Sequence, residues 1–148
     1  MDIEIVGESV KTGLSVEILK KFPGIEVYKE FISKPTFPHF FIYQLTLDVR
    51  QERRNYWWLH YLMSLRYRVA AETIIARDLQ AQLDATALSL MAINKIYLSD
   101  MPIRVRESRT EKVENVLHYF CAFDIHVTKE QIEKIKQWQV TINLNLKG

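Results

Sequence analysis

Cysteine is nearly absent from the sequence, whose 148 residues contain only Cys121. A single cysteine excludes an internal disulfide framework and suits a reducing compartment. Glycine and proline are also scarce, at four each, which excludes collagen-like, linker-rich and low-complexity organisation. So few glycines leave little room for a phosphate-binding loop or a dinucleotide fingerprint; neither pattern occurs, nor does a G-x-S-x-G nucleophile elbow. No apolar run approaches the roughly 18 residues that a membrane helix needs, so we expect no membrane partner.

The composition supplies enough apolar material for a core, with 48% hydrophobic and 11% aromatic residues in a length typical of one domain. The net charge of +2 is too small to indicate nucleic-acid binding, but the charge is unevenly distributed. Residues 1–30 carry four lysines against six acidic residues, and residues 50–68 carry five arginines against one glutamate. Such a pattern fits complementary surfaces, within the fold or between copies of it, and it also fits scattered solvated side chains.

The first segment has the spacing of a helix. Its apolar residues recur at intervals of three or four, at Ile3, Val6, Val10, Leu14 and Ile18. Gly7 and Gly13 each weaken this helix by about 1 kcal/mol relative to alanine, and Pro23 ends it. A short strand is expected at 25–27.

Two long runs of alternating side chains come next, from His39 to Arg50 and from Trp57 to Arg68. The polar segment Gln51–Arg54 between them predicts an antiparallel hairpin. Residues 70–91 return to helical spacing. Their apolar stripe consists of Ile74, Ile75, Leu79, Leu83 and Ala87.

The second half of the chain predicts another hairpin. After a brief strand at 93–98, Ile103 and Val105 alternate with arginines in a strand that ends near 108–110. A long alternating run from Val113 to Val127 is its partner. The expected fold is α+β, an antiparallel or mixed β-sheet of two long hairpins with helices packed on one face.

The C-terminal segment shows two different patterns. Thr128 and Gln131 resemble a capping box, which predicts a short helix. Beyond Trp138, apolar and polar residues alternate as in a strand, with the apolar positions at Val140, Ile142, Leu144 and Leu146. This strand has no partner left in the domain. We therefore expect a single domain over residues 1–128, and a C-terminal extension or arm over 129–148 that exchanges with a neighbouring chain.

No catalytic, metal or cofactor site emerges from the sequence. Cys121 lies on the apolar side of its predicted strand, where a thiol fills core space. His118 and His126 are separated by about 26 Å along one strand, too far to share an ion. We therefore expect neither an enzyme nor a bound cofactor.

Seven arginines are the candidate site residues, as contacts to another subunit or to a tube: Arg50, Arg53, Arg54, Arg66, Arg68, Arg104 and Arg106. Arginine suits bidentate pairing with carboxylate or phosphate. Three interpretations stay open: ion pairing with a neighbouring copy, a path for DNA phosphates, and a solvated outer face.

Several phrases resemble tail terminator proteins of long-tailed bacteriophages and prophages. They are Lys21-Phe22-Pro23, Ile25-Glu26-Val27-Tyr28, Pro35-Thr36-Phe37-Pro38-His39-Phe40-Phe41-Ile42, Arg53-Arg54-Asn55-Tyr56-Trp57-Trp58-Leu59-His60-Tyr61, Val116-Leu117-His118-Tyr119-Phe120 and Phe123-Asp124-Ile125-His126-Val127. The resemblance covers the chain up to about Thr128.

The resemblance implies a structural protein, made in the host bacterial cytoplasm and built into the virion tail. Such a protein forms a hexameric ring on the tail tube, stops tube polymerisation and provides the head–tail joining surface. The implied partners are further copies of itself, the tail tube protein and a head-completion or connector protein. DNA would pass through the ring without being bound specifically. The alternative is a DNA-binding or other neck or connector protein that uses the Arg-bearing strands.

Overall fold

The computed structural model describes residues 3–70 and 76–147, and side chains within 3–70 and 77–142. Over these residues the elements in chain order are α1 (Ile3–Lys21), β1 (Glu26–Tyr28), β2 (His39–Arg53), β3 (Tyr56–Arg68), α2 (Ala76–Met91), β4 (Lys95–Leu98), β5 (Met101–Arg104), β6 (Glu107–Val113), β7 (Val116–Thr128) and α3 (Lys129–Lys147). None of these helices is both long and apolar enough to cross a membrane.

Five strands form one mixed sheet in the order β1-β2-β3-β7-β6. β1 pairs with β2 in parallel, and every other pair is antiparallel. The predicted hairpin of two long strands is confirmed as β2–β3. A second, two-stranded sheet consists of β4 and β5. The α+β fold with helices on a sheet is therefore confirmed, and the sheet is of the mixed kind.

The core lies between the helices and one face of the large sheet. β3 and β7 each bury alternate side chains, as their sequence pattern predicts, at Trp57, Leu59, Tyr61, Met63, Leu65 and Tyr67 and at Leu117, Tyr119, Cys121, Phe123, Ile125 and Val127. From α1, four residues spaced four apart are fully buried: Val6, Val10, Leu14 and Ile18. α2 contributes Leu79 and Leu83, whereas Ile74 and Ile75 of the predicted stripe lie outside the described residues.

The second predicted hairpin exists, but its first strand is different. The strand at 103–105 was expected to run to Ser108–Thr110 and pair with the last long run; instead, β5 ends at Arg104 and pairs with β4. β6 contains Ser108–Thr110 and pairs with β7. Glu114 and Asn115 form the turn, with φ of 51° and 66°, and positive φ at both central residues is typical of a two-residue hairpin turn. The predicted continuous strand from Val113 is therefore interrupted here.

The predicted strand at the C-terminal end is wrong, because α3 is one continuous helix through Lys147. Its capping box is confirmed: the Thr128 backbone N–H donates to Gln131 Oε1 at 2.8 Å, and the Gln131 N–H donates to Thr128 Oγ1 at 3.2 Å. The helix buries Ile132 and Ile135 in the core, which holds its first turns against the sheet.

Polar contacts attach the middle of α3 to α1. Gln139, which is only 4% exposed, accepts a hydrogen bond from Ser9 Oγ at 3.2 Å and donates one to Thr12 Oγ1 at 3.1 Å. The alternating apolar residues of the C-terminal segment thus lie on a helix rather than in a strand. Val140 is exposed, and of Leu144 and Leu146 only the helical backbone is described. Exchange of this segment between copies stays a prediction, now for a helix.

Candidate interaction face

The side of the large sheet away from the helices, called the open face below, is built from alternate residues of β2, β3, β7 and β6. One row of cross-strand partners runs Phe41, Arg66, His118 and Glu111 across the four strands. Most side chains of β3 and β7 on this face keep part of their surface exposed, while those between them are buried. The sheet therefore has one core face and one face available for contacts.

Arginine guanidinium groups lie over aromatic rings along the open face and its hairpin end. The distances from Cζ to the ring centroid are 5.1 Å for Arg50 on Trp58, 4.9 Å for Arg53 on Tyr56, 5.0 Å for Arg66 on Tyr43 and 4.3 Å for Arg109 on Phe120. Each such contact contributes about 0.5–1 kcal/mol at an exposed site. These contacts give long side chains a defined position before any partner binds.

A polar cluster lies at the centre of the open face. His60 and Asp124 are cross-strand partners, and His60 Nδ1 hydrogen-bonds to Asp124 Oδ1. Arg106 Nη1 lies 3.2 Å from Asp124 Oδ2 and 3.3 Å from His60 Nδ1. The His60 ring also stacks on Trp58, with centroids 5.7 Å apart. Arg106 is therefore neutralised within the chain by Asp124.

A groove of about 200 Å³ lies at the opposite end of the open face from the Arg53–Arg54 turn, against the segment 29–38. Arg66 and Arg68 line it together with exposed aromatic rings, of which Phe31 is 85% exposed and Phe37 is 50% exposed. Burial lowers the pKa of His39 on the groove wall, and Arg68 acts in the same direction. The groove is therefore apolar and positively charged, and none of the described residues that line it is acidic.

Two histidines of the open face, His118 and His126, do not belong to a metal site in the described part of the chain. Burial and then Arg66 lower the pKa of His118, whose ring stacks on Phe120. His126 stacks on Tyr56. Across residues 3–70 and 76–147, no three His, Cys, Asp or Glu side chains come close enough together to hold an ion. Cys121 is 1% exposed, which confirms its place in the core, and burial raises the pKa of its thiol to about 12.

The structure brings some of the seven predicted arginines together and separates others. Arg50, Arg66 and Arg68 are on the strands of the open face, and Arg53 and Arg54 are at the β2–β3 turn. Arg104 and Arg106 were expected on one strand face, but Arg104 ends β5 in the small sheet, and Arg106 follows outside any strand. Their role as an interface stays a prediction.

Three members of this face are not among the site residues predicted from the sequence: Arg109, His60 and Asp124. Arg109 lies where the sequence predicts the end of a strand, although Arg109 and Glu111 are separated by a threonine, as in an edge strand. His60 and Asp124 are 64 residues apart in sequence, so only the register of β3 against β7 brings them together. The available signal for this face was the recurrence of polar and charged residues at alternate positions in each long run.

Comparison with known proteins identifies a family for this sequence. A family model described as phage tail terminator protein matches residues 9–135. Among solved structures, a chain from the virion of a native gene transfer agent particle is 13% identical, with 83% of this chain and 97% of that chain covered and a TM-score of 0.47. A second solved chain is 12% identical over 87% of this chain and 96% of its own, with a TM-score of 0.39. Neither structural similarity is close enough to carry an argument. No curated protein matches the chain significantly.

Proposed function

Because the chain belongs to the phage tail terminator family, and therefore has a structural role in a phage tail, we propose that it caps the tail tube as a ring, stops tube polymerisation and forms the head–tail joining surface. The observation that carries this proposal is the family match over residues 9–135. That span contains β1 to β7 and the buried Ile132 and Ile135 of α3.

The proposed mechanism is geometric rather than chemical. A tube grows because each completed ring exposes a surface that accepts the next ring. A terminating ring has one face that matches the last tube ring and another face that tube subunits do not recognise. Several copies of one chain satisfy this requirement, because a cyclic assembly presents all its equivalent surfaces on the same side.

The proposed partners follow from this geometry. The ring consists of six copies; one side binds the tail tube protein, and the other binds a head-completion or connector protein. DNA passes through the opening without specific recognition. The protein is made in the host bacterial cytoplasm and is incorporated into the virion.

Part of the positive charge of the open face is neutralised within the chain. Arg106 is paired with Asp124, and Arg109 lies 3.4 Å from Glu111, so part of the positive charge is already neutralised. Asp48 adds another exposed carboxylate on β2. A surface that follows phosphates needs several uncompensated cations. The pairs of Arg50 on Trp58 and of Arg66 on Tyr43 also suit stacking with the bases of a single strand, so the DNA-binding alternative needs its own test.

Electron microscopy of phage particles tests the proposal. Particles assembled without this protein should have overlong or headless tails, and supplying the protein should restore normal length and joining. Normal, head-bearing tails in its absence would overturn the proposal. Retention of the purified protein on DNA with a steep salt dependence would instead support the DNA-binding alternative.

A further inference from the structure

Within residues 3–70 and 76–147, no further strand lies beyond either edge of the large sheet. β1 pairs with β2 only along His39–Phe41, so the segment Ile42–Arg53 has β3 on one side and no strand on the other. β6 pairs with β7 alone. Such an edge is a row of backbone N–H and C=O groups able to accept another strand.

The two edges carry exposed charges of both signs on the open face. β2 contributes Asp48 and Arg50, and β6 contributes Glu107 and Arg109. Mixed charges protect an edge from indiscriminate pairing, while a strand with complementary charges at matching positions is still accepted.

The strand directions allow one copy to continue the sheet of the next. Because β2, β3, β7 and β6 are successively antiparallel, β6 runs opposite to β2. When copies are related by rotation about an axis that lies roughly along the strands, each strand runs in the same sense along that axis in every copy. In a ring of that kind, β6 of one copy meets β2 of its neighbour as an antiparallel pair.

β1 prevents a straight continuation of the sheet. Within one copy, Lys112 of β6 lies in the same cross-strand row as Phe40 of β2. If β6 met the β2 strand of the neighbouring copy without a shift, Lys112 would lie opposite Phe40 of that copy. That edge of Phe40 is already paired with Val27 of β1. β6 must therefore slide towards the Arg53 end of the neighbouring β2, and by an even number of residues, since an odd shift exchanges the two faces.

The charges select the length of that slide. Within one copy, Glu107 shares a row with Thr46. A slide of two residues would put Glu107 opposite Asp48, and a slide of six would put Arg109 opposite Arg50; both arrangements oppose like charges. A slide of four puts Glu107 opposite Arg50 and Arg109 opposite Asp48. A slide of eight carries the start of β6 past the end of β2.

We propose that neighbouring copies join edge to edge, with β6 of one added antiparallel to β2 of the next in the register that opposes Glu107 to Arg50 and Arg109 to Asp48. The inference rests on the proposed ring and names the surfaces that build it. A regular stagger between neighbours is also what a closed sheet requires, because strands in a barrel are tilted against its axis. The ring is thus lined by one continuous sheet, and each ion pair is repeated at every interface.

Disulfide trapping tests the register directly. The test uses the full chain with Asp48→Cys and Arg109→Cys, assembled on tails and then oxidised. Directly opposed residues on antiparallel strands have Cα atoms about 4.5–5.5 Å apart, within reach of a disulfide. Cys121 does not compete because it is 1% exposed. We expect a ladder of linked chains on a non-reducing gel, ending at the closed ring, and the matched pair Arg50→Cys with Arg109→Cys should give no ladder.

Charge exchange tests the same register without new bonds. Arg50→Glu alone and Glu107→Arg alone should each reduce ring assembly at least tenfold at physiological salt, and the double variant should restore it. Glu111→Arg in place of Glu107→Arg should not restore it, because Glu111 is four residues away on the same face.

The outcomes separate this inference from the proposed function. If rings cap tails but the Asp48–Arg109 pair does not cross-link and the charge exchange has no effect, the edge-to-edge interface is wrong and the capping function stands. If cross-links form in a ring that does not cap tails, the interface stands and the function fails.

Discussion

Gly13 of α1 lies against the backbone of Tyr97 in β4, so closely that a Cβ on Gly13 would be 2.8 Å from the Tyr97 carbonyl oxygen. The glycine that weakens α1 is therefore what allows the helix to pack on the small sheet. Gly7 differs, because its nearest neighbour is the end of the flexible, exposed Gln44 side chain.

Gly13→Ala should therefore destabilise the protein by about 1–2 kcal/mol, because the clash with backbone outweighs the gain in helix propensity. Gly7→Ala is the matched control and should be neutral or stabilising. Urea unfolding of both variants checks this. A Gly13→Ala variant as stable as Gly7→Ala would show that α1 and β4 are not packed as described.

Cys121 should be inert in the folded protein. Its thiol is buried between Tyr119 and Phe123 on the core face of β7, so native protein should react with a thiol reagent only as fast as it unfolds. Cys121→Ala should cost on the order of 1 kcal/mol through the small cavity, with ring assembly retained. Rapid labelling of native protein, or loss of assembly at unchanged stability, would contradict this role.

The protein should lose stability in alkaline solution. Burial raises the pKa of Tyr61 and Tyr119 above 10.0, so both hydroxyls stay neutral in the fold and ionise when the chain unfolds. Below pH 10 these two tyrosines add no pH dependence to the free energy of unfolding. Above pH 10 they ionise in the unfolded chain only, so the free energy of unfolding falls as pH rises. Tyr61→Phe should flatten that fall at little cost, because the Tyr61 hydroxyl has no hydrogen-bond partner among the described residues. Equal pH dependence of Tyr61→Phe and wild type would contradict the burial argument.

The Arg53–Arg54 turn should be required for assembly and not for folding. Both side chains are exposed, so Arg53→Glu with Arg54→Glu should unfold at nearly the wild-type temperature but fail to form rings or cap tails. The matched control reverses Arg77 and Lys95, which are also exposed and are not among the candidate interface residues. Complementation in phage, scored by tail length, checks both. Normal capping by the Arg53/Arg54 variant would mean that this turn faces solvent and makes no contact needed for assembly.

Isolated protein should be monomeric or weakly associated, and its ring should close only on the tail. The proposed contact combines one short backbone pairing with exposed charges, whose ion pairs contribute only about 0–1 kcal/mol each, so we expect it to be weak without the tube. Sedimentation at micromolar concentration checks this. A tight, salt-resistant hexamer in the absence of tails would contradict it.

The C-terminal segment shows where sequence patterns are ambiguous. Val140, Ile142, Leu144 and Leu146 alternate as in a strand, yet the segment continues the helix begun by the Thr128 capping box. The decisive residue is Gln139, whose partners Ser9 and Thr12 are 130 and 127 residues away. A buried polar side chain on a helix cannot be recognised before its distant partner is known.

β6 was missed for a related reason. It lies at the edge of the sheet, keeps both faces largely polar, and so shows no alternation of apolar residues. The turn at Glu114–Asn115 was missed because apolar residues continue on both sides of it, and Glu114 adopts positive φ without a glycine to mark it.

The sequence alone determined the helix α1, the long strands β2, β3 and β7, the buried side of β3 and of β7, the α3 cap and the resemblance to a family. These features depend on contacts within a few residues, where the helical and strand periods are visible. Only the tertiary structure decided that β3 pairs with β7 and β4 with β5, that Arg106 meets Asp124 and His60, and which two edges stay unpaired. These features depend on register between distant segments, and many registers satisfy the same local pattern.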